Sequence, residues 1–309
     1  GGKSDRLNQY TTFLGDPGKF EADLARRRNA TAEGVRAAVD KYLNTKNRVL
    51  VRFHPETASK AAEVAIDRTK EPSLGTDRPF IAPAVRSAKL ENGIDLYVVE
   101  KRELPKVVVS FATRAGSVSD ADGKGGLASM TTRLTRRGTK TMNAVQIDET
   151  LGNLGTGIGW GSSREVSTLS LDVLKRNLDP AMSVLSDVVM NPSFPASEFD
   201  REKKLALDGL AQAANNPNAV ANRVAAMVAM GPDHPYGRPS GGLPGTVSAI
   251  TRDDLVRFHG ANWKPGSSAV IFVGDITLDE ATAMARKHFG SWSGGAAPVV
   301  TEAITLSAA

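Results

Sequence analysis

A chain of 309 residues with 40% hydrophobic and 24% charged side chains has ordinary globular composition and can bury a sizeable core. The absence of cysteine removes disulfides, thiolate metal sites and cysteine nucleophiles, and leaves the compartment open. A net charge of +5 with only 6% aromatic residues offers little for base stacking and argues against a nucleic-acid partner, and no apolar run reaches the ~20 residues that span a bilayer.

The opening GGKSDRLNQY reads neither as a signal peptide nor as a natural start, and the chain is expected to be a piece of something longer. Residues 11–45 are predicted helical, with Thr31 as an N-cap and Val35, Val39 and Leu43 on one face. Asn47–Phe53 has the apolar character of a strand, and residues 54–83, mixed in charge and ending in Pro- and Gly-rich sequence, are predicted to be a linker. Strands are expected at Gly93–Lys101 and Lys106–Gly116, separated by RELP. A helix over Gly123–Thr139 and a second over residues 143–155 precede a glycine-rich strand, a turn and another strand ending at Leu174. Helical spacing returns at 180–190, 195–214, 219–230, 251–263 and 278–292, with an apolar strand at 267–275. Paired strands followed by runs of helices predict an α+β fold, a mainly antiparallel sheet with helices packed on one face.

Thr31–Phe53 aligns without gaps on Thr251–Val273: a capping Thr, an amphipathic helix, a turn, then NRVLVRF against SSAVIFV. The separation is far too long for a solenoid repeat and suggests two related domains, the first represented by its tail.

The stretch GKGGLASMTTRLTRRGT, Gly123–Thr139, starts like a phosphate loop but fails its spacing, because no glycine stands four intervening residues before Gly123-Lys124 and no hydroxyl follows Lys124. Leu127, Met130 and Leu134 share a helical face that suits a core, which leaves Arg133, Arg136 and Arg137 for water near the helix C-terminus. GTGIGWG places Gly155, Gly157, Gly159 and Gly161 two apart, which is not a dinucleotide fingerprint. Alternating glycines suit either a tight sheet contact or an edge that accepts a peptide strand.

From Gly126 to Thr139 the sequence GLASMTTRLTRRGT resembles the G-L-A-H-F-L-E-H-M-x-F-x-G-T helix of the insulinase and mitochondrial-processing-peptidase family of zinc peptidases. RAGSVSD, NPSFPASEFDREK, DHPYGRPSGG and NWKPGSSAVIFVGDI resemble further family segments in the right order, and the likeness runs from about Arg86 to Trp292. It implies a peptidase-family domain over 84–309, preceded by the C-terminal part of a homologous domain in 1–53.

Carried over residue by residue, the resemblance implies a lost active centre. The two histidine ligands fall on Ser129 and Arg133, the general-base glutamate on Thr132 and the distant glutamate ligand on Gly209; Glu202 of the same segment survives. Catalytic zinc needs about three protein ligands and an open water position, and His54, His234, His259 and His288 form no i, i+3 or i, i+4 pair. The expectation is a non-catalytic half of a bipartite zinc endopeptidase, without zinc of its own. It would pair with a homologous zinc-bearing half and help hold extended peptide at Gly155, Gly157, Gly159 and Gly161, in a bacterial periplasm. The alternative is a structural or assembly subunit of the same family with no proteolytic role.

Overall fold

The computed structural model describes residues 2–43, 51, 82–232 and 234–298. The chain divides into two compact units, Gly1–Asp77 and Arg78–Ala309. The strand expected at Asn47–Phe53 and the linker fall almost wholly outside the described residues.

In the first unit the helical stretch expected over 11–45 begins earlier and is three helices: α1 (Lys3–Leu14), α2 (Phe20–Arg28) and α3 (Ala32–Tyr42). The first break is chemical. Gly15 takes φ 71°, open to glycine without strain, and the Asp16 carboxylate accepts from Gly18 N at 2.7 Å to start a short 3-10 turn. Thr31 caps α3 as expected, accepting from Gly34 N at 3.1 Å. None of these helices buries a residue, and Val35, Val39 and Leu43 are exposed by 54%, 44% and 75%.

The second unit is built on six strands: β1 (Arg86–Lys89), β2 (Asp95–Glu100), β3 (Lys106–Thr113), β4 (Gly159–Ser162), β5 (Ser167–Leu174) and β6 (Ser268–Gly274), in the order β1-β2-β6-β3-β5-β4. Their pairing is antiparallel except between β2 and β6, which run parallel. The runs on either side of RELP are therefore not partners: the late strand β6 lies between them. Burial alternates with the strand period of two, so Val107, Val109, Phe111 and Thr113 of β3 face the same side as Leu169 and Leu171 of β5 and Val270 and Phe272 of β6.

That face is covered by helices: α4 (Leu127–Thr135) packs on β4 and β5, α6 (Leu178–Met190) on β5, and α11 (Leu278–Phe289) on β1, β2 and α6. α5 (Ala144–Asn153) leans on α6, and α10 (Arg252–Asn262) packs on α4. α7 (Ala196–Ala213) lies against both α4 and the short α9 (Pro244–Ala249), and α8 (Pro217–Met230) follows it in the chain. At the centre, Phe111 has Trp263 at 5.6 Å, Phe289 at 6.0 Å and Trp292 at 6.0 Å between ring centroids. This cluster joins the middle of the sheet to the ends of α10 and α11.

Asp120 holds the start of α4. Its two carboxylate oxygens accept from Gly126 N at 2.8 Å and Ala128 N at 2.7 Å, satisfying donors that a helix N-terminus leaves open. Gly126 itself has φ 96°, and a Cβ there would lie 2.9 Å from the Gly241 carbonyl, so the loop packs against α4 where only glycine fits. Burial raises the Asp120 pKa to about 7, against the opposing pull of the Ala128 and Gly126 amides.

Two stability predictions follow from this packing. Phe111→Ala should lower unfolding free energy by roughly 3–5 kcal/mol in urea denaturation, because the rings around it cannot collapse onto the void; a loss below 1 kcal/mol would show that they do. Asp120 is protonated more tightly in the folded chain than in the unfolded one. Its contribution is therefore greatest below pH 4 and is lost as pH rises through about 7. His259, whose folded pKa burial pulls down to about 4, changes stability in the opposite sense over the same window. The stability difference between wild type and Asp120→Asn isolates the carboxyl: it should move against the wild type between pH 4 and 7, by on the order of a few kcal/mol. A difference independent of pH would exclude the raised pKa.

Candidate functional site

Helix α4 carries the segment that resembles the family's zinc helix and turns its side chains in three directions. Leu127, Met130 and Leu134 enter the core, as their spacing predicted. Thr132 is also fully buried: its Oγ1 lies 2.8 Å from the Ala128 carbonyl and 2.7 Å from Ser167 Oγ, which in turn donates to the Ala115 carbonyl at 2.8 Å. A hydroxyl engaged in that chain holds α4 to β5 and reaches no open space. Ser129 and Arg133 face outward into a cavity of about 220 Å³.

The opposite wall is α7, which contributes Glu202, Leu205, Ala206, Gly209 and Leu210, and the cavity is closed by Gly241 and Val247. Three of the four degenerate positions, Ser129, Arg133 and Gly209, therefore meet across one cavity, although Gly209 stands far from the other two in sequence. A Cβ built at Gly209 would meet nothing within 4 Å, so this position opens onto free space.

Glu202 is the charged centre of this arrangement. It is 3% exposed and takes three guanidinium groups: Arg137 Nε at 3.0 Å, Arg201 Nη2 at 2.9 Å and Arg133 Nη1 at 3.4 Å. Arg133 also lies 4.7 Å over the ring of Trp160 on β4. Arg136 is held below the usual guanidinium range, first by burial and then by the neighbouring Arg137. Two of the arginines expected in water, Arg133 and Arg137, are thus drawn inward by one carboxylate from a different helix, which local spacing does not reveal.

The donor set does not fit zinc. A neutral serine hydroxyl, a permanent guanidinium cation and a glycine stand where three ligands would be needed. Among the described residues no group of three His, Cys, Asp or Glu side chains could hold a metal ion. Of the histidines, His259 packs against Trp263 with Nε2 2.8 Å from the Val189 carbonyl, and His288 Nε2 lies 2.9 Å from Asp179. His234 Nδ1 accepts from Tyr236 N at 3.1 Å, while His54 lies outside the described residues.

The glycine run splits. Gly155, φ 72°, follows the C-cap of α5, and the strand begins only at Gly159, so Gly155 and Gly157 are helix exit and loop rather than strand. The left-handed conformation that glycine permits ends the helix and delays the strand. Gly159 and Gly161 lie on β4, an edge strand paired only with β5 among the described residues. A Cβ at these positions would crowd Ser170 Oγ at 3.0 Å and Thr168 Oγ1 at 2.9 Å, so they make room for hydroxyls across the ladder, where a close backbone had been expected.

Known proteins agree with this frame. The insulinase domain of peptidase family M16 matches residues 97–234, and the M16 inactive domain matches residues 249–306, together well over half of the chain. An uncharacterized zinc protease of Rickettsia bellii (strain RML369-C) is 24% identical over 208 residues, 67% of this chain and 50% of that protein. A probable mitochondrial-processing peptidase subunit beta of Schizosaccharomyces pombe is 24% identical over 209 residues, 67% of this chain and 45% of its own. The crystal structure of a peptidase M16 inactive domain from Pseudomonas fluorescens superposes with a TM-score of 0.68 at 27% identity, covering 72% of this chain and 54% of that one. The chain spans about half the length of the curated relatives it matches. No helix among the described residues is long and apolar enough to cross a membrane. With the sequence matches, the six-stranded α+β frame and the motif helix in agreement, the chain belongs to the M16 (insulinase) family of peptidases.

Proposed function

We propose that residues 84–309 are the non-catalytic half of a bipartite zinc endopeptidase, which completes a chamber with a homologous zinc-bearing half and helps bind extended peptide. The observation that carries this is the shared cavity of Ser129, Arg133 and Gly209: the motif helix and its facing helix keep their places while every ligand position has lost its donor. Zinc hydrolysis needs a bound water whose pKa is lowered to about 7 and a base to take its proton. Here the base position, Thr132, is tied to Ser167 and the Ala128 carbonyl. The chain's contribution to peptide handling is then β4, whose outer edge, unpaired among the described residues, can accept a strand through backbone hydrogen bonds.

Residues 1–53 are read as the closing part of a preceding homologous domain. α3 and α10 start after Thr31 and Thr251, run for 11 residues each, and carry Val35, Val39 and Leu43 where α10 carries Leu255, His259 and Trp263. In α10 that face packs into the core, whereas in α3 it is exposed.

Two measurements test the reading. Metal analysis of the purified chain should find far less than one zinc per chain; one tightly held zinc would refute the placement of Ser129, Arg133 and Gly209. Peptidase activity should appear when the homologous zinc-bearing half is present, and deletion of 84–309 from the complex should remove most of it. Activity indifferent to that deletion would sink the role, and a stable complex that cleaves no peptide would identify an assembly subunit instead.

A further inference from the structure

We propose that the cavity between α4 and α7 is a carboxylate-binding subsite, taking the acidic side chain or the terminal carboxylate of an extended peptide laid along β4. The proposal rests on the reading of β4 as a peptide edge, and it assigns that peptide a charge.

The cationic groups outnumber their partners. Arg133, Arg137 and Arg201 converge on the single carboxylate of Glu202. Arg201 is shared with Glu198 at 2.6 Å, and Arg137 has Asp148 at 3.8 Å. Arg136, in the same cluster, leaves a buried Nε without a hydrogen-bond partner among the described residues. Of these arginines, Arg133 is the one that lines the cavity. Its one ion pair among the described residues is the long 3.4 Å contact to Glu202, and its Nε and Nη2 make no hydrogen bond among them. Its guanidinium carbon lies 4.7 Å over the Trp160 ring, beside the edge strand.

The space suits one side chain. A volume of about 220 Å³ lies below the roughly 300–1,000 Å³ of small-molecule pockets. Gly126, Gly209 and Gly241 line it without side chains, which keeps it open. Ser129, one turn before Arg133 on α4, offers a hydroxyl on the same wall that has no hydrogen bond among the described residues. A guanidinium fork and an adjacent hydroxyl match a carboxylate's two oxygens, whereas an amide in the same place offers one acceptor oxygen and no negative charge to pair with the guanidinium. Glu202 does not repel the ligand as a bare charge would, since three guanidinium groups already surround it.

The test uses the whole chain and two kinds of probe. Sodium acetate, titrated against sodium chloride at equal ionic strength, should shift the Arg133 Nε–Hε resonance saturably, with no saturable shift from chloride. Four fluorescent peptides of one apolar β-forming sequence then vary the charge: central Glu, Gln or Lys with an amidated end, and central Gln with a free carboxylate. The Glu peptide should bind roughly tenfold tighter than the amidated Gln peptide, a ratio in keeping with a charge-assisted hydrogen bond. The gap should vanish in Arg133→Gln, with folding checked by circular dichroism. A tenfold gain for the free-carboxylate peptide alone would assign the terminal carboxylate as the ligand. If acetate shifts Arg133 saturably but no peptide binds, the carboxylate site stands and the peptide-edge reading falls. Equal affinity for all four peptides, or an Arg133 resonance indifferent to acetate, overturns the proposal.

Discussion

The pairing of the Glu202 carboxylate with Arg133, Arg137 and Arg201 is the constraint on which the candidate site depends. An ionised carboxylate with 3% exposure is tolerable only when cations and hydrogen bonds replace its water. Two of its partners come from α4 or the turn just after it, and the third from its own helix, so the charge draws α7 onto α4 and sets the width of the cavity between them. Removing one arginine leaves two beside the carboxylate, whereas removing all three would strand a buried charge, the case that is strongly destabilising. The family pattern would place a metal dication between these two helices. Here α4 carries the Arg133 guanidinium, which lies beside the Glu202 carboxylate.

Above that constraint sits a sheet whose order the chain reaches late. β6 enters between β2 and β3, parallel to one and antiparallel to the other, and buries Val270 and Phe272 against the helices. Until it arrives, Phe111 has neither the neighbouring strand nor Trp263, Phe289 and Trp292 around it. The core of the second unit is therefore completed by residues from its last third. The same order leaves β1 and β4 as the sheet's edges, with β4 alone lying under the motif helix.

What could be read from the sequence was local. Period-two burial in β3, β5 and β6, the inward face of Leu127, Met130 and Leu134, and the caps at Thr31 and Thr251 follow from side-chain spacing and short-range hydrogen bonding. The four residues of β1, RSAK, show no alternation, and the six of α9 are too few for a helical period to register. The adjacency of β6 to β2 and β3 is a long-range choice that no local pattern encodes. The arginines behaved likewise: Arg137 looks like a solvated helix end until Glu202, 65 residues away, is placed beside it. The likeness of the motif helix to a known family did more for the site than spacing, because it singled out Ser129, Arg133 and Gly209 before anything showed that they share a cavity.

The glycines of β4 take on a sharper meaning beside that cavity. In the register of β4 with β5, Trp160 pairs with the buried Leu169, while Gly159 and Gly161 pair with Ser170 and Thr168. Trp160 therefore points to the helix side, where it carries Arg133, and the two glycines leave the other side of the strand bare. Bulk on one face and none on the other is an asymmetric demand, and alternation along the strand is the only way a single segment can meet it. The glycines are then best understood as clearance for the hydroxyls of β5 rather than as ligand contacts. Selectivity in any strand added at this edge would come from the helix side, through the indole and the guanidinium stacked on it, while its backbone bonds would be indifferent to sequence.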